Sequence, residues 1–235
     1  MKRVFLAVLT AICLTSVWAQ QYTLADLTSG EFNPKGISEM VSSEDGMHYY
    51  QADPGKTAVI KFSYATGEAV DTLFNARDAR GATFNTFQGF LVSPDENRVL
   101  VYLDREQVYR RSFRATYFYH DVRRNLVRKL SEQTSKQMIP TFSPDGKMVA
   151  YVIDNNIWLT KFDFDTESQV TRDGEQNKVI NGATDWVYEE EFGVTRLMEF
   201  SPDNQLLAFV RTDESEVKEF SFQTFNEQLY PDYYR

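Results

Sequence analysis

The 235-residue chain carries a formal net charge of −9, is 42% hydrophobic and 14% aromatic, and contains one cysteine, Cys13. An acidic balance of this size argues against nucleic acid or an anionic membrane surface as partner. A lone cysteine excludes an internal disulfide framework, so stability must come from a packed apolar core.

Lys2 and Arg3 precede an apolar run over 4–14, and small residues follow at Ser16 and Ala19. This is the layout of a secretory signal peptide, with Val17-Trp18-Ala19 as the cleavage site before Gln20. Residues 1–19 are therefore expected to be removed, taking Cys13 with them, and 20–235 to be exported to the periplasm, the cell surface or the medium. The apolar run is too short for a transmembrane anchor, and no later stretch approaches the length of a span. A lipoprotein reading through Cys13 is disfavoured because Thr10-Ala11-Ile12 makes a poor lipobox. Residues 22–40 read as a short helical or turn segment, with Thr23-x-x-Asp26 as a capping box.

A repeated turn organises the rest. Ser93-Pro94-Asp95-Glu96, Ser143-Pro144-Asp145-Gly146 and Ser201-Pro202-Asp203-Asn204 are near copies, and Ser43-Glu44-Asp45-Gly46 is a degraded fourth. Their first residues (43, 93, 143 and 201) fall 50, 50 and 58 positions apart. Apolar runs follow each turn at 47–50, 99–103, 148–153 and 206–210. A second set lies at 58–62, 115–119, 157–162 and 217–222, and a third at 69–74, 126–130 and 169–171. Roughly four short strands per unit of about 50 residues is the pattern of β-propeller blades. A β-sandwich would not repeat one turn motif at that period. The expected fold is all-β, the first part of a propeller with about four four-stranded antiparallel blades, the fourth lacking its closing strands.

The surplus between the third and fourth turns lies in an insertion containing Asp185-Trp186-Val187-Tyr188-Glu189-Glu190-Glu191-Phe192. Adjacent like charges repel, so at least one carboxylate should titrate high unless a cation is close. On composition alone the triplet reads as a solvated acidic face.

The run D-W-V-Y-E-E-E-F, with Thr195-Arg196 and Phe200-Ser201-Pro202 after it, resembles the double-glutamate motif of the dipeptidyl peptidase IV family. Upstream, the segment from Val108-Tyr109-Arg110-Arg111-Ser112-Phe113 to Tyr117 is similar to the family's arginine segment. Downstream, Asp213-Glu214-Ser215-Glu216-Val217 and Leu229-Tyr230-Pro231 match the blade after the motif. The resemblance implies an eight-bladed propeller joined to a C-terminal α/β-hydrolase domain that this chain lacks. It implies a serine exopeptidase that releases Xaa-Pro or Xaa-Ala dipeptides. Glu190 and Glu191 would grip the free amino terminus of the peptide. Arg110 would brace them and contact the second residue's carbonyl, with Arg111 the alternative by one position. Glu189 would be a structural neighbour, Trp186 and Tyr188 would anchor the insertion against the propeller wall, and Asp185 would support it. Partners would be peptides with a free N-terminus, the hydrolase domain, and a second copy in the full-length protein.

The chain contains no G-x-S-x-G nucleophile elbow. Its two histidines, His48 and His120, lie in strand-like runs without a triad partner; strand alternation would turn Asp121 away from His120. There is no phosphate-binding glycine loop and no Cys/His cluster, and the acidic insertion lacks the alternating oxygens of a calcium loop, so neither cofactor nor metal is expected. The competing reading is an exported, non-catalytic binding propeller that retains the glutamate motif.

Overall fold

The computed structural model describes residues 22–34, 36 and 39–234. The expected signal peptide with Cys13, the ends of the expected 20–235 domain and the charged Lys2 and Arg3 lie outside the described residues. The chain divides into two units, Met1–Ser38 and Glu39–Arg235. In the first, helix α1 (Leu24–Thr28) begins at the expected capping box: the Asp26 N–H donates to Thr23 Oγ1 while the Thr23 N–H donates to Asp26 Oδ2.

The second unit is a succession of antiparallel β elements. Strands β1 (Val41–Ser42), β2 (His48–Ala52), β3 (Ala58–Ser63) and β4 (Ala69–Asn75) form a four-stranded meander. Strands β5 (Gly89–Val92), β6 (Arg98–Gln107), β7 (Phe113–Asp121) and β8 (Leu126–Lys129) form a second, and β9 (Gln137–Phe142), β10 (Met148–Ile153), β11 (Asn156–Lys161) and β12 (Thr166–Gln169) a third. Arg114 and Ala115 of β7 pair with Met138 and Gln137 of β9, so blades two and three share one eight-stranded sheet.

Each repeated turn sits between the first and second strands of its blade, and the four are chemically alike. The N–H of Gly46, Glu96, Gly146 or Asn204 donates to the carbonyl of the serine three positions before it. That fourth residue takes a left-handed φ of 58° to 70° in every copy, which suits glycine and asparagine. In the three Ser-Pro-Asp copies the serine Oγ donates to the aspartate at 2.6–2.7 Å and accepts the N–H that restarts the chain at 2.9 Å. Glu96 is the misfit among the four. It is held in the left-handed region by its side chain, which accepts from Tyr50 Oη at 2.7 Å and Lys61 Nζ at 2.7 Å in the preceding blade.

The strand runs are continuous rather than alternating because both faces of a blade are covered. In β6, Val99 and Val101 enter the core between blades one and two, while Leu100 enters the next core. In β10, Val149, Tyr151 and Ile153 face blade two, while Ala150 and Val152 face the fourth unit. Burial on both faces removes the period-two signal. His120 and Asp121 follow suit: both are buried although they point to opposite faces.

The fourth unit departs from the expected blade. Strands β13 (Val179–Asn181), β14 (Met198–Phe200), β15 (Leu207–Phe209) and β16 (Arg211–Asp213) form one interrupted hairpin, β13 pairing with β16 and β14 with β15. The strand expected over 217–222 does not form; Val217 is 69% exposed, and only Phe222 is extended, in β17 (Phe222–Thr224), which pairs with β18 (Asp232–Tyr234). Lys218 and Glu219 break the apolar run, and it has no neighbouring strand to bury it. In blade three the outer strand is Thr166–Gln169, a few residues earlier than the apolar run expected at 169–171.

Candidate functional site

Two departures from the regular blade meet to form the site. The first is an arm in blade two. Strands β6 and β7 run past the blade body, with the register shifting between Leu103 and Glu106 where Asp104 takes a φ of 53°. The tip, residues 108–112, is closed by the Val108 N–H donating to Ser112 O at 2.9 Å. Glu106 ties the arm down, accepting from Arg114 Nε at 2.7 Å and Lys136 Nζ at 2.8 Å. Arg105 lies 4.3 Å over the Phe113 ring, a cation–π contact on the arm's flank.

The second departure is the insertion in unit four. The Gly182 N–H donates to Val210 O, and the Val210 N–H donates to Leu197 O. The ladder therefore resumes at Leu197 as though 183–196 were absent. A bridge between Ala183 and Arg196 closes the neck. Within the loop, helix α2 (Trp186–Phe192) is defined at both ends. Asp185 is its N-cap, with Oδ1 accepting the Tyr188 N–H at 2.7 Å, and Gly193 is its left-handed C-cap at φ 68°, donating to Glu189 O at 3.0 Å. Tyr188 and Phe192, one turn apart, have ring centroids 5.2 Å apart.

A helix turns three consecutive residues to three directions, about 100° apart. The glutamate triplet is sorted in this way. Glu189 faces inward with 0% exposure, and its Oε1 accepts the N–H groups of Arg111 and Ser112 at the arm tip. Burial pushes its carboxyl up, but hydrogen bonding from Ser112 and the Arg111 N–H, with the Arg111 charge, more than offsets this and leaves it below the usual carboxylate range. At Glu189 the expected repulsion is thus offset by backbone donors and the nearby Arg111 charge. Glu190 turns to Arg110, its Oε1 lying 3.0 Å from Arg110 Nε, with side-chain exposures of 22% and 72%. Glu191 is exposed, and its carboxylate has no ion pair or hydrogen bond among the described residues.

The structure therefore brings Arg110, Glu189, Glu190 and Glu191 together from positions some eighty residues apart in sequence. Of the two arginines, Arg110 makes the ion pair, while Arg111 contributes its backbone N–H to Glu189. The anchoring expected of Trp186 and Tyr188 is not seen, since they are 58% and 47% exposed. A two-turn helix has one inward face here, and Glu189 occupies it. Asp185 serves as the cap. Sequence reasoning missed Ser112 and Gly193; the glycine just beyond the helical run was the available signal, whereas a backbone donor such as Ser112 leaves none. His48 and His120 take no part: His48 pairs with Asp45 at 2.7 Å, and His120 Nε2 lies 3.0 Å from Asn125 Oδ1. Among the described residues no group of three or more His, Cys, Asp or Glu side chains could hold a metal, and no helix is long and apolar enough to cross a membrane.

Antiparallel blades, with an arm from one blade held against an inserted acidic helix, define a propeller-type domain. Residues 93–235 match the family described as the dipeptidyl peptidase IV (DPP IV) N-terminal region, and the chain belongs to that family. The crystal structure of Porphyromonas gingivalis dipeptidyl peptidase 4 superposes with a TM-score of 0.86 at 51% identity, over 92% of this chain and 31% of that one. Human prolyl endopeptidase FAP is 28% identical over 89% of this chain and 27% of its own length. A probable dipeptidyl-aminopeptidase B of Talaromyces marneffei is 40% identical over 57% of this chain and 15% of its own length. The chain thus spans about a third or less of each of these proteins.

Proposed function

We propose that this region holds the free amino terminus of a peptide substrate for a serine dipeptidyl peptidase that releases Xaa-Pro or Xaa-Ala dipeptides. The observation that carries the reading is the ion pair between Arg110 and Glu190 beside the unpartnered carboxylate of Glu191. An α-amino group with a pKa near 8 is cationic at neutral pH and is stabilised by two carboxylates. Each charge-assisted contact contributes about 1.5–3 kcal/mol. Arg110 holds the Glu190 carboxylate in place and offers its remaining N–H groups to a peptide carbonyl. Fixing the ammonium fixes the distance to the scissile bond, so cleavage falls two residues in and blocked peptides are rejected. Misplacement by even ~1 Å can cost about a hundredfold in rate. Hydrolysis itself is proposed to reside in an α/β-hydrolase domain outside these 235 residues, and export by way of residues 1–19 is part of the same proposal.

The test uses the full-length enzyme with a Gly-Pro chromogenic amide and its N-acetylated counterpart. Glu190→Gln and Glu191→Gln should each lower kcat/KM by at least tenfold, about 1.4 kcal/mol. Both should also lose much of the preference for the free amine, and Arg110→Ala should behave similarly. Variants with wild-type kcat/KM and intact preference would return the triplet to a solvated acidic face.

A further inference from the structure

At the end of blades two and three opposite the arm lies a cavity of about 260 Å³. Its walls come from the repeated turns of the two blades and from the turns that close β7 onto β8 and β11 onto β12. The repeated turns press together here. A Cβ on Gly146 would stand 2.2 Å from Asp95 Oδ1, so a side chain at that position would displace the carboxylate. Four cations line the cavity, Arg98, Arg123, Arg124 and Lys147. Three carboxylates, Asp95, Asp121 and Asp163, oppose them, a formal balance of +1 in a chain of net charge −9.

Those carboxylates match the cations poorly. Asp95 is spent on its own turn, accepting from Ser93 Oγ, the Asn97 N–H and Asn97 Nδ2 at 2.6, 3.1 and 2.6 Å. Asp121 Oδ2 is shared, 3.3 Å from Arg98 Nη2 and 3.6 Å from Arg124 Nη1, and Lys147 Nζ stands 4.0 Å from Asp163 Oδ2. Charge-assisted contacts close to about 2.7–2.9 Å when well made. Among the described residues only four ion pairs exceed 3.1 Å, and three of the four are these. Arg123 has no hydrogen bond or ion pair among the described residues. The buried Nε of Arg98 has no acceptor, and the guanidinium lies 5.3 Å over the Phe162 ring.

We propose that this cavity binds a tetrahedral oxyanion, phosphate or sulfate, between Arg123, Arg124 and Lys147, with Arg98 as the buried cation of the site. A carboxylate offers two oxygens in one plane, whereas a tetrahedral oxyanion meets guanidinium forks and an ammonium from separate directions. The volume falls below the ~300 Å³ at which drug-sized pockets begin, which suits a free ion or a small ester rather than a peptide. The site is independent of the amino-anchor reading, since neither the arm tip nor α2 contributes to its walls.

The experiment is isothermal titration calorimetry of the full-length protein with inorganic phosphate, inorganic sulfate, glucose 6-phosphate and glucose. Buffers are matched in ionic strength with sodium chloride, so general screening is constant. The anions should bind saturably with a Kd of about 1 mM or below, the worth of two or three charge-assisted contacts, and glucose should not bind. Arg123→Ser and Arg124→Ser should each weaken binding about tenfold, and Arg124→Lys should weaken it less. Both side chains are exposed, Arg124 at 72%, so the variants should keep the wild-type melting temperature. Arg110→Ala should leave the Kd unchanged, which separates this site from the arm. Absence of saturable binding, wild-type affinity in the Arg123→Ser/Arg124→Ser double variant, or loss of binding in Arg110→Ala overturns the inference. A lower Kd for the ester than for inorganic phosphate assigns the site to phosphorylated small molecules, and the reverse order assigns it to the free ion.

Discussion

Glu189 is buried completely yet does not touch substrate in the proposed arrangement, and removing it should loosen the arm rather than abolish the fold. Its Oε1 accepts two backbone N–H groups, those of Arg111 and Ser112, and Oε2 has no partner. Hydrogen bonds to a charged acceptor contribute about 1.5–3 kcal/mol each. Glu189→Ala leaves both donors unpaired, the Ser112 donor fully buried, so a loss of about 3 kcal/mol at the arm tip is expected. Glu189→Gln keeps the carbonyl oxygen that accepts both bonds and places an amide at the orphaned Oε2 position, so it should lose only about 1 kcal/mol. Hydrogen–deuterium exchange reads this directly. Arg111 and Ser112 amides should exchange about a hundredfold faster in Glu189→Ala, since each ~1.4 kcal/mol is one decade, while amides of β10 stay protected. The lowered pKa of Glu189 sets the sign with pH. The native state binds fewer protons than the unfolded chain, so the clamp is fully present above the usual carboxylate range and lost as pH falls through its folded value. If Arg111 and Ser112 exchange at wild-type rates in Glu189→Ala, the carboxylate is not what holds the arm.

Glu96→Ala should destabilise blade one against blade two by about 1–3 kcal/mol, because Tyr50 and Lys61 lose their acceptor. Glu96→Gly should lose about 1 kcal/mol less, since glycine is at ease at φ 58°, and equal melting temperatures for the two variants would contradict the turn argument. Burial lowers the pKa of His120 despite hydrogen bonding to Asn125 and backbone Leu73, which favours the charged form, so the folded state disfavours its protonation. Its contribution is intact above about pH 6.5 and declines as pH falls below that value. His120→Gln should flatten this part of the stability–pH curve, and an unchanged slope between pH 7 and 5 would refute the assignment.

The turns were the most legible feature because each is closed by its own residues. Serine, aspartate and a left-handed fourth position carry most of the geometry locally, Glu96 alone drawing on partners in the preceding blade, and the strands follow from apolar runs that two faces of burial keep continuous. The insertion was visible but underestimated. The 50-residue spacing from Ser93 to Ser143 contains the extended β6–β7 arm yet equals the spacing before it, so the period did not betray the arm. That arm has no periodic signature at all. Arg110 was found through the resemblance of its segment to a family, and the role of Glu189 followed from helix geometry that three identical letters in a row do not reveal. Trp186 and Tyr188 misled because large aromatics suggest burial, whereas the single inward face of α2 is taken by a carboxylate.

The resumption of the ladder at Leu197 also bears on how such a domain can change over time. The residues that flank 183–196, Gly182 and Leu197, meet at Val210, so the helix contributes no rung to the blade that carries it. Lengthening, shortening or rewriting that segment leaves the pairing of β13 with β16 and of β14 with β15 in register. The segment is a cassette, and recognition chemistry in it can drift without a matching change in the scaffold. What restrains the drift is a partner more than seventy residues upstream, the arm tip that Glu189 grips. Transplanting 183–196 between related domains should therefore succeed when 105–114 travels with it, and yield a folded blade with a misaimed helix when it does not.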